Sequence, residues 1–309
     1  MAGPPRVVAI VGPTAVGKTA LSLSLARAFD GEVISADSRQ IYRGMDIGTA
    51  KATPEEQAVA PHHLLDIADP DERLTLAQFK ALADAAIRDI WARRRLPLLV
   101  GGTGLYVRAV LEGWTVPEVP PNAALRDELY ARAEQEGHEA LHRELAAVDP
   151  DAAEAIDARN VRRVVRALEV YQETGVPISQ LQQKHPPGYR ILRIGLTMSR
   201  TALYARIDAR VDAMLASGLV EEVRCLLQQG YTPDLPAMSG LGYRQIAQYL
   251  AGEISLEEAV ELVKRHTRRF VRQQYNWFRL NDPDIHWLDA EDDPTQAAIE
   301  LVGAFLAES

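Results

Sequence analysis

The run Arg6-Val7-Val8-Ala9-Ile10-Val11 passes directly into Gly12-Pro13-Thr14-Ala15-Val16-Gly17-Lys18-Thr19, and that junction constrains the fold more than any other stretch. The apolar residues do not alternate with polar ones, so the strand they form is covered on both faces. The octet after it satisfies G-x-x-x-x-G-K-[ST], and an amphipathic helical pattern over 17–29 follows. Strand, glycine-bounded loop and helix in that order make a phosphate loop. Backbone N–H groups curl around phosphate oxygens, the helix points its positive end at them, Lys18 adds a point charge and Thr19 is a candidate Mg²⁺ ligand. Gly12, Pro13, Thr14, Ala15, Val16, Gly17, Lys18 and Thr19 are therefore candidate diphosphate-binding residues. The motif is common in nucleotide-binding, ATP-binding proteins, yet it requires only a diphosphate or longer, not ATP.

The rest of the chain extends this start into an α/β fold: a P-loop core whose parallel sheet is flanked by helices, plus an all-helical insertion. Strand-like runs recur at 32–36, 96–100, 189–196 and near 285–288, with helical patterning at 75–95, 200–229 and 255–280. Strands separated by helices imply a parallel sheet. Between Trp114 and Pro187 the pattern is helical, with no strand candidate, so 115–187 is expected to be the insertion and 1–114 with 188–309 the core. At 309 residues the chain is long enough for about two domains, or for one carrying such an insertion.

The net charge of −9 excludes non-specific attraction to a polyanion by the whole molecule, so any nucleic acid must meet a local basic surface. One cysteine, Cys225, forms neither an internal disulfide nor a CxxC knuckle, which fits a reducing compartment. No apolar run approaches the ~18 residues of a membrane span, and Met1–Pro5 lacks the apolar core of a signal peptide. A cytoplasmic, monomeric protein without membrane contact is the expectation.

Several residues are candidates for chemistry, each with a plainer alternative. Asp37 follows the second strand at the sheet edge where ligands collect; it is either a general base or a helix N-cap. The strand at 96–100 ends without an acid and enters Gly101-Gly102-Thr103-Gly104, whose glycines admit close approach by either a ligand or a packed helix. Arg206 and Arg210 share a helix face and either meet the far end of a diphosphate or pair with acids such as Asp208 and Asp212. Residues 264–279 hold six Lys or Arg, no acid and several aromatics. Arg265, Arg268, Arg269, Arg272 and Arg279 fall mainly on one side, while Phe270, Trp277 and Phe278 are expected to turn toward a core; the basic side is either solvated or binds phosphates. A second cluster, Arg162-Arg163-Val164-Val165-Arg166, lies in the insertion, and two separated basic patches suit an extended polyanion. His62-His63 has no metal-ligand spacing and reads as structural.

Taken together, these blocks make the sequence resemble the bacterial tRNA dimethylallyltransferases, also called tRNA isopentenyltransferases, over nearly its whole length. The resemblance rests on Gly12–Ala15 with Gly17-Lys18-Thr19, Asp37-Ser38-x-Gln40 with Tyr42, Gly44–Lys51, Pro61–Asp66, Val100–Tyr106, Arg166–Val170 and Gly242-Tyr243-Arg244-Gln245. The family usually has Ser or Thr where Val16 stands, a position that supplies mainly a loop amide. It implies transfer of a dimethylallyl group from dimethylallyl diphosphate to N6 of the adenosine 3′ to the anticodon, in tRNAs reading U-initial codons. It also implies Mg²⁺ at Thr19, Asp37 as base, Thr14 and Lys18 at the reacting centre, and Arg206 or Arg210 on the departing diphosphate. Asp37, Ser38, Arg39, Gln40, Thr103, Arg126, Arg162, Arg163, Val164, Val165 and Arg166 then match positions that touch tRNA. Arg244, Arg265, Arg269 and Arg272 join them as candidate tRNA contacts. A P-loop kinase and a non-catalytic RNA-binding protein are the rival readings of the same motifs.

Overall fold

The computed structural model describes residues 3–117 and 119–308. They form two compact units, one of Met1–Leu111 with Pro187–Ser309 and one of Glu112–Pro186. The first holds one six-stranded sheet: β1 (Arg6–Val11), β2 (Gly31–Ser35), β3 (His62–His63), β4 (Leu96–Gly101), β5 (Arg190–Thr197) and β6 (His286–Asp289). The order is β3-β2-β4-β1-β5-β6 and every pairing is parallel.

β1 shows why its sequence does not alternate. Val8 and Ile10 enter one core with Leu21 and Leu25 of α1 (Lys18–Phe29), whereas Val7, Ala9 and Val11 enter the opposite core with Phe79, Ile87 and Ile90 of a later helix, Leu76–Ala92. Successive side chains of a strand point to opposite faces, so two buried faces demand an unbroken apolar run. Burial of each Val or Ile stabilises the fold by roughly 1.5–3 kcal/mol.

The remaining core helices are α2 (Pro54–Val59), α3 (Leu76–Ala92), α4 (Gly104–Leu111), α10 (Arg200–Ala216), α11 (Leu219–Gln228), α12 (Tyr243–Leu250), α13 (Leu256–Gln274) and α14 (Thr295–Ala307), with α5–α9 lying in the second unit. The stretch expected as one helix over 200–229 is two, because Gly218 at φ 99° breaks it after Ser217. β3 escaped the sequence reading because two residues carry no periodicity; there His63 meets the buried Glu32 carboxylate at 2.7 Å and His62 Nδ1 lies 2.8 Å from the Ala60 carbonyl oxygen. A third apolar cluster, including Ile41, Met45, Leu219, Val223, Tyr243 and Ile246, supports the 41–47 segment on α11 and α12.

The second unit contains α5 (Ala123–Glu136), α6 (His138–Val148), α7 (Pro150–Ala155), α8 (Val161–Thr174) and α9 (Ile178–Leu181), and among the described residues it has no strand. Its core gathers Leu129, Leu141, Leu145, Val164, Val165 and Leu168.

Candidate active site

All strands run the same way, so the ends of β1, β2 and β4 open on one edge. Val11 pairs with Gly101 and Ser35 with Val100, which brings the phosphate loop, Asp37 and the 101–103 turn to that edge. Gly12 has φ 140°, and a methyl there would press on the Leu196 carbonyl. Gly17 caps α1 in the left-handed region without a side-chain hydrogen bond, leaving the first-turn amides open to an anion.

A cavity of about 850 Å³ lies over this edge, lined by Thr14, Lys18, Thr19, Asp37, Arg206 and Arg210 among others. A second, of about 290 Å³, is lined by Ser38, Arg39, Thr103, Leu241, Phe270 and neighbours. Thr14, Asp37, Gly102, Arg210 and Met214 line both, so the two cavities share one wall.

The phosphate-loop end of the wider cavity gathers Lys18, Arg206 and Arg210, while Asp46, Glu56 and Asp66 line it elsewhere. Lys18 Nζ donates to the carbonyl oxygens of Gly12 (3.0 Å) and Pro13 (2.8 Å). Burial, reinforced by the Arg210 charge and opposed by Asp37, pushes its ammonium down to about 8. Arg210 is lowered as well, by burial, with Asp37 opposing. The acids that could have neutralised the arginine pair are engaged elsewhere: Asp208 binds Arg268, and Asp212 binds Lys264 at 2.7 Å. Among the described residues the hydrogen bonds of Arg206 and Arg210 are long, to the Val16 and Thr49 carbonyl oxygens at 3.4 and 3.5 Å. Lys18, Arg206 and Arg210 thus face the cavity together with Asp37, and none of the three has its charge taken up by Asp208 or Asp212.

Asp37 accepts the Arg39 N–H at 2.8 Å, a turn closure that uses one carboxylate oxygen. Ser38 N–H donates to Thr103 Oγ1 at 3.2 Å, while Gln40 accepts from Ser35 Oγ and donates to the Ala50 carbonyl at 3.2 Å. Arg39 reaches the carbonyl oxygens of Pro236 and Ala237. The glycines of the 101–104 turn are closely packed, since methyls would overlap Ala36 at Gly101, Gln274 at Gly102 and Trp277 at Gly104, while Gly101 and Gly102 also line the wider cavity.

Among the described residues no group of three or more His, Cys, Asp or Glu is placed to hold a metal alone. The exposed Thr19 and the carboxylate of Asp37 both line the wider cavity. Such a sparse oxygen set suits Mg²⁺, which keeps its waters and takes further ligands from phosphate.

The basic stretches divide. On α13 and α12, Arg265, Arg269, Arg272 and Arg244 are exposed; Arg272 donates to the Tyr204 hydroxyl at 2.9 Å. Arg162 and Arg163 are exposed on α8 and, among the described residues, make no ion pair. Val164 and Val165 are 0% and 1% exposed, so the expectation that they touch RNA is corrected: they are core residues of the helical unit. Arg126 and Arg166 both pair with the fully buried Glu169 while each stays about a third exposed. Phe270, expected in a core, is 38% exposed and lines the narrower cavity, whereas Phe278 is buried.

Phosphate loop, parallel sheet and a cavity lined by Lys18, Arg206, Arg210 and Asp37 define the class as an α/β protein with a phosphate-loop motif. The IPP transferase family matches residues 40–281 and the isopentenyl transferase family residues 5–66. A tRNA dimethylallyltransferase of Roseiflexus castenholzii is 59% identical over 92% of this chain and 93% of its own length; that of Dehalococcoides mccartyi is 50% identical over 98% and 93%. The crystal structure of the tRNA isopentenylpyrophosphate transferase from Bacillus halodurans superposes with a TM-score of 0.72 at 45% identity, covering 98% of this chain and 96% of that one. A eukaryotic dimethylallyltransferase described as acting on tRNA gives a TM-score of 0.81 at 29% identity over 98% and 80%. The chain belongs to the tRNA dimethylallyltransferase family of prenyltransferases.

Proposed function

We propose that this enzyme transfers the dimethylallyl group of dimethylallyl diphosphate to N6 of the adenosine 3′ to the anticodon, in tRNAs that read U-initial codons. The observation that carries the reading is the shared wall of the two cavities at Thr14, Asp37, Gly102, Arg210 and Met214. The wider cavity takes the diphosphate at its Lys18, Arg206 and Arg210 end. The narrower one, bordered by Arg39 and Phe270, takes the swung-out base, whose extrusion costs a few kcal/mol.

In the reaction the N6 lone pair forms a bond to C1 of the allyl group. The C1–O bond breaks and its electron pair leaves with diphosphate. One N6 proton passes to Asp37, which relieves a poorly nucleophilic aromatic amine of charge as the bond forms. Lys18, Arg206 and Arg210 neutralise the departing diphosphate. When bound at Thr19, Mg²⁺ supplies further charge neutralisation to the diphosphate oxygens. Thr14, at the common wall, lies where the two substrates meet. The exposed Arg244, Arg265, Arg269 and Arg272 hold phosphates of the RNA, and Arg162 and Arg163 of the helical unit bind the anticodon arm.

The test uses allyl-labelled dimethylallyl diphosphate with Mg²⁺ and unmodified tRNA. Label in the RNA, with equimolar diphosphate release, is expected; release without labelled RNA would refute the acceptor assignment.

A further inference from the structure

Gln274 closes α13, a helix that carries exposed Arg265, Arg269 and Arg272, yet its own side chain is 3% exposed. Its amide spans two loops. Oε1 accepts the Thr14 N–H at 2.9 Å, and Nε2 donates to the Gly102 carbonyl oxygen at 2.9 Å. A methyl built on Gly102 would overlap Nε2, so the turn approaches this amide as closely as glycine permits. Thr14, Gly102 and Gln274 all line the narrower cavity.

These contacts have two consequences for the phosphate loop. The Thr14 N–H is already taken by a side chain and is withheld from any phosphate, so the loop's anion-binding amides are those further along, toward Lys18. The Thr14 backbone is also fixed with respect to the 101–103 turn, which in turn supports Ser38 beside Asp37 through Thr103. Glutamine is suited to this position because one planar amide accepts on one side and donates on the other. Glutamate would accept from Thr14 but set a carboxylate against the Gly102 carbonyl oxygen.

We propose that Gln274 is a positioning residue of the transfer reaction: it locks the wall between the cavities so that the donor's C1 and the acceptor's N6 meet at a fixed separation. The inference rests on the prenyl-transfer reading for its consequence, but the lock itself is a property of the free protein. Misplacement by about 1 Å at a reacting centre costs on the order of a hundredfold in rate.

The experiment compares wild type, Gln274→Met, which keeps length and removes both hydrogen bonds, and Gly102→Ala, which dislodges the same amide from the opposite side. Three quantities are measured: kcat for labelled transfer, the dissociation constants for tRNA and for inorganic diphosphate, and deuterium exchange of the Thr14 amide. Each variant is expected to lower kcat at least tenfold, hold both dissociation constants within about threefold, and speed Thr14 exchange at least tenfold. Unchanged kcat, or kcat and both affinities falling together as in general unfolding, would overturn the assignment. If wild type itself transfers nothing, the functional reading falls; Gln274 is then judged on exchange alone, and unaltered Thr14 exchange in the variants refutes the lock.

Discussion

The charge on Lys18 is the feature whose titration reports most sensitively on an occupied phosphate loop. Its ammonium value in the free protein, about 8, lies below the ordinary 10.5 because burial disfavours the charged form. The sign follows: charge is lost as the pH rises through about 8, not through 10.5. Lys18 is then about nine-tenths charged at pH 7 and about one-tenth charged at pH 9. A bound diphosphate favours the ammonium and raises its value again, so binding at pH 9 takes up close to one proton. Titration calorimetry with inorganic diphosphate, repeated for Lys18→Met, isolates this term, because the ligand's own ionisation is common to both proteins. The ratio of wild-type to variant association constants should shrink about tenfold between pH 7 and pH 9. The wild-type heat at pH 9 should vary with the ionisation enthalpy of the buffer. A ratio that is flat over this range would mean that Lys18 is not the desolvated counter-charge of the bound anion.

Three other outcomes are expected. Asp37→Asn retains an acceptor for the Arg39 N–H but cannot take a proton, so transfer should slow by ~10²- to 10⁴-fold; filter binding should show tRNA affinity retained, and a rate within threefold of wild type would remove Asp37 as base. Arg272→Ala should weaken tRNA binding and flatten its logarithmic salt dependence by about one unit, whereas an unchanged slope puts that arginine off the RNA surface. Glu169→Ala strands two arginines that are each about 30% exposed, so solvent recovers part of their charge and the loss is on the order of 1–3 kcal/mol. Limited proteolysis should then cut the 112–186 unit faster; unaltered cleavage would show that the triad contributes little.

Where a feature depended on contiguous residues, the sequence disclosed it. β1 was legible because two buried faces leave an unbroken apolar run, and the phosphate loop because its working atoms come from eight neighbouring positions. Features made by distant partners were hidden. Nothing in Gln273-Gln274 distinguishes a surface glutamine from one that bridges Thr14 and Gly102. The packing around Gly101–Gly104 was hidden because its partners come from two distant segments, Ala36 after β2 and Gln274 with Trp277 at the end of α13. For the Arg166–Glu169 pair a signal existed: Glu169 lies three residues on, one helical turn away, where opposite charges meet. The break at Ser217-Gly218 was also readable, from glycine between two apolar patterns, while α2, α4 and α12 are too short for periodicity to declare them.

The central claim is that an allyl donor and an adenine meet across the wall formed by Thr14 and Asp37. Mass analysis of nuclease-digested tRNA after a single incubation with enzyme, Mg²⁺ and dimethylallyl diphosphate tests it most directly. One added C5H8 unit is expected, confined to the adenosine 3′ to the anticodon and absent with Asp37→Asn over the same interval. An RNA of unaltered mass, or the group attached to any other nucleotide, would contradict it.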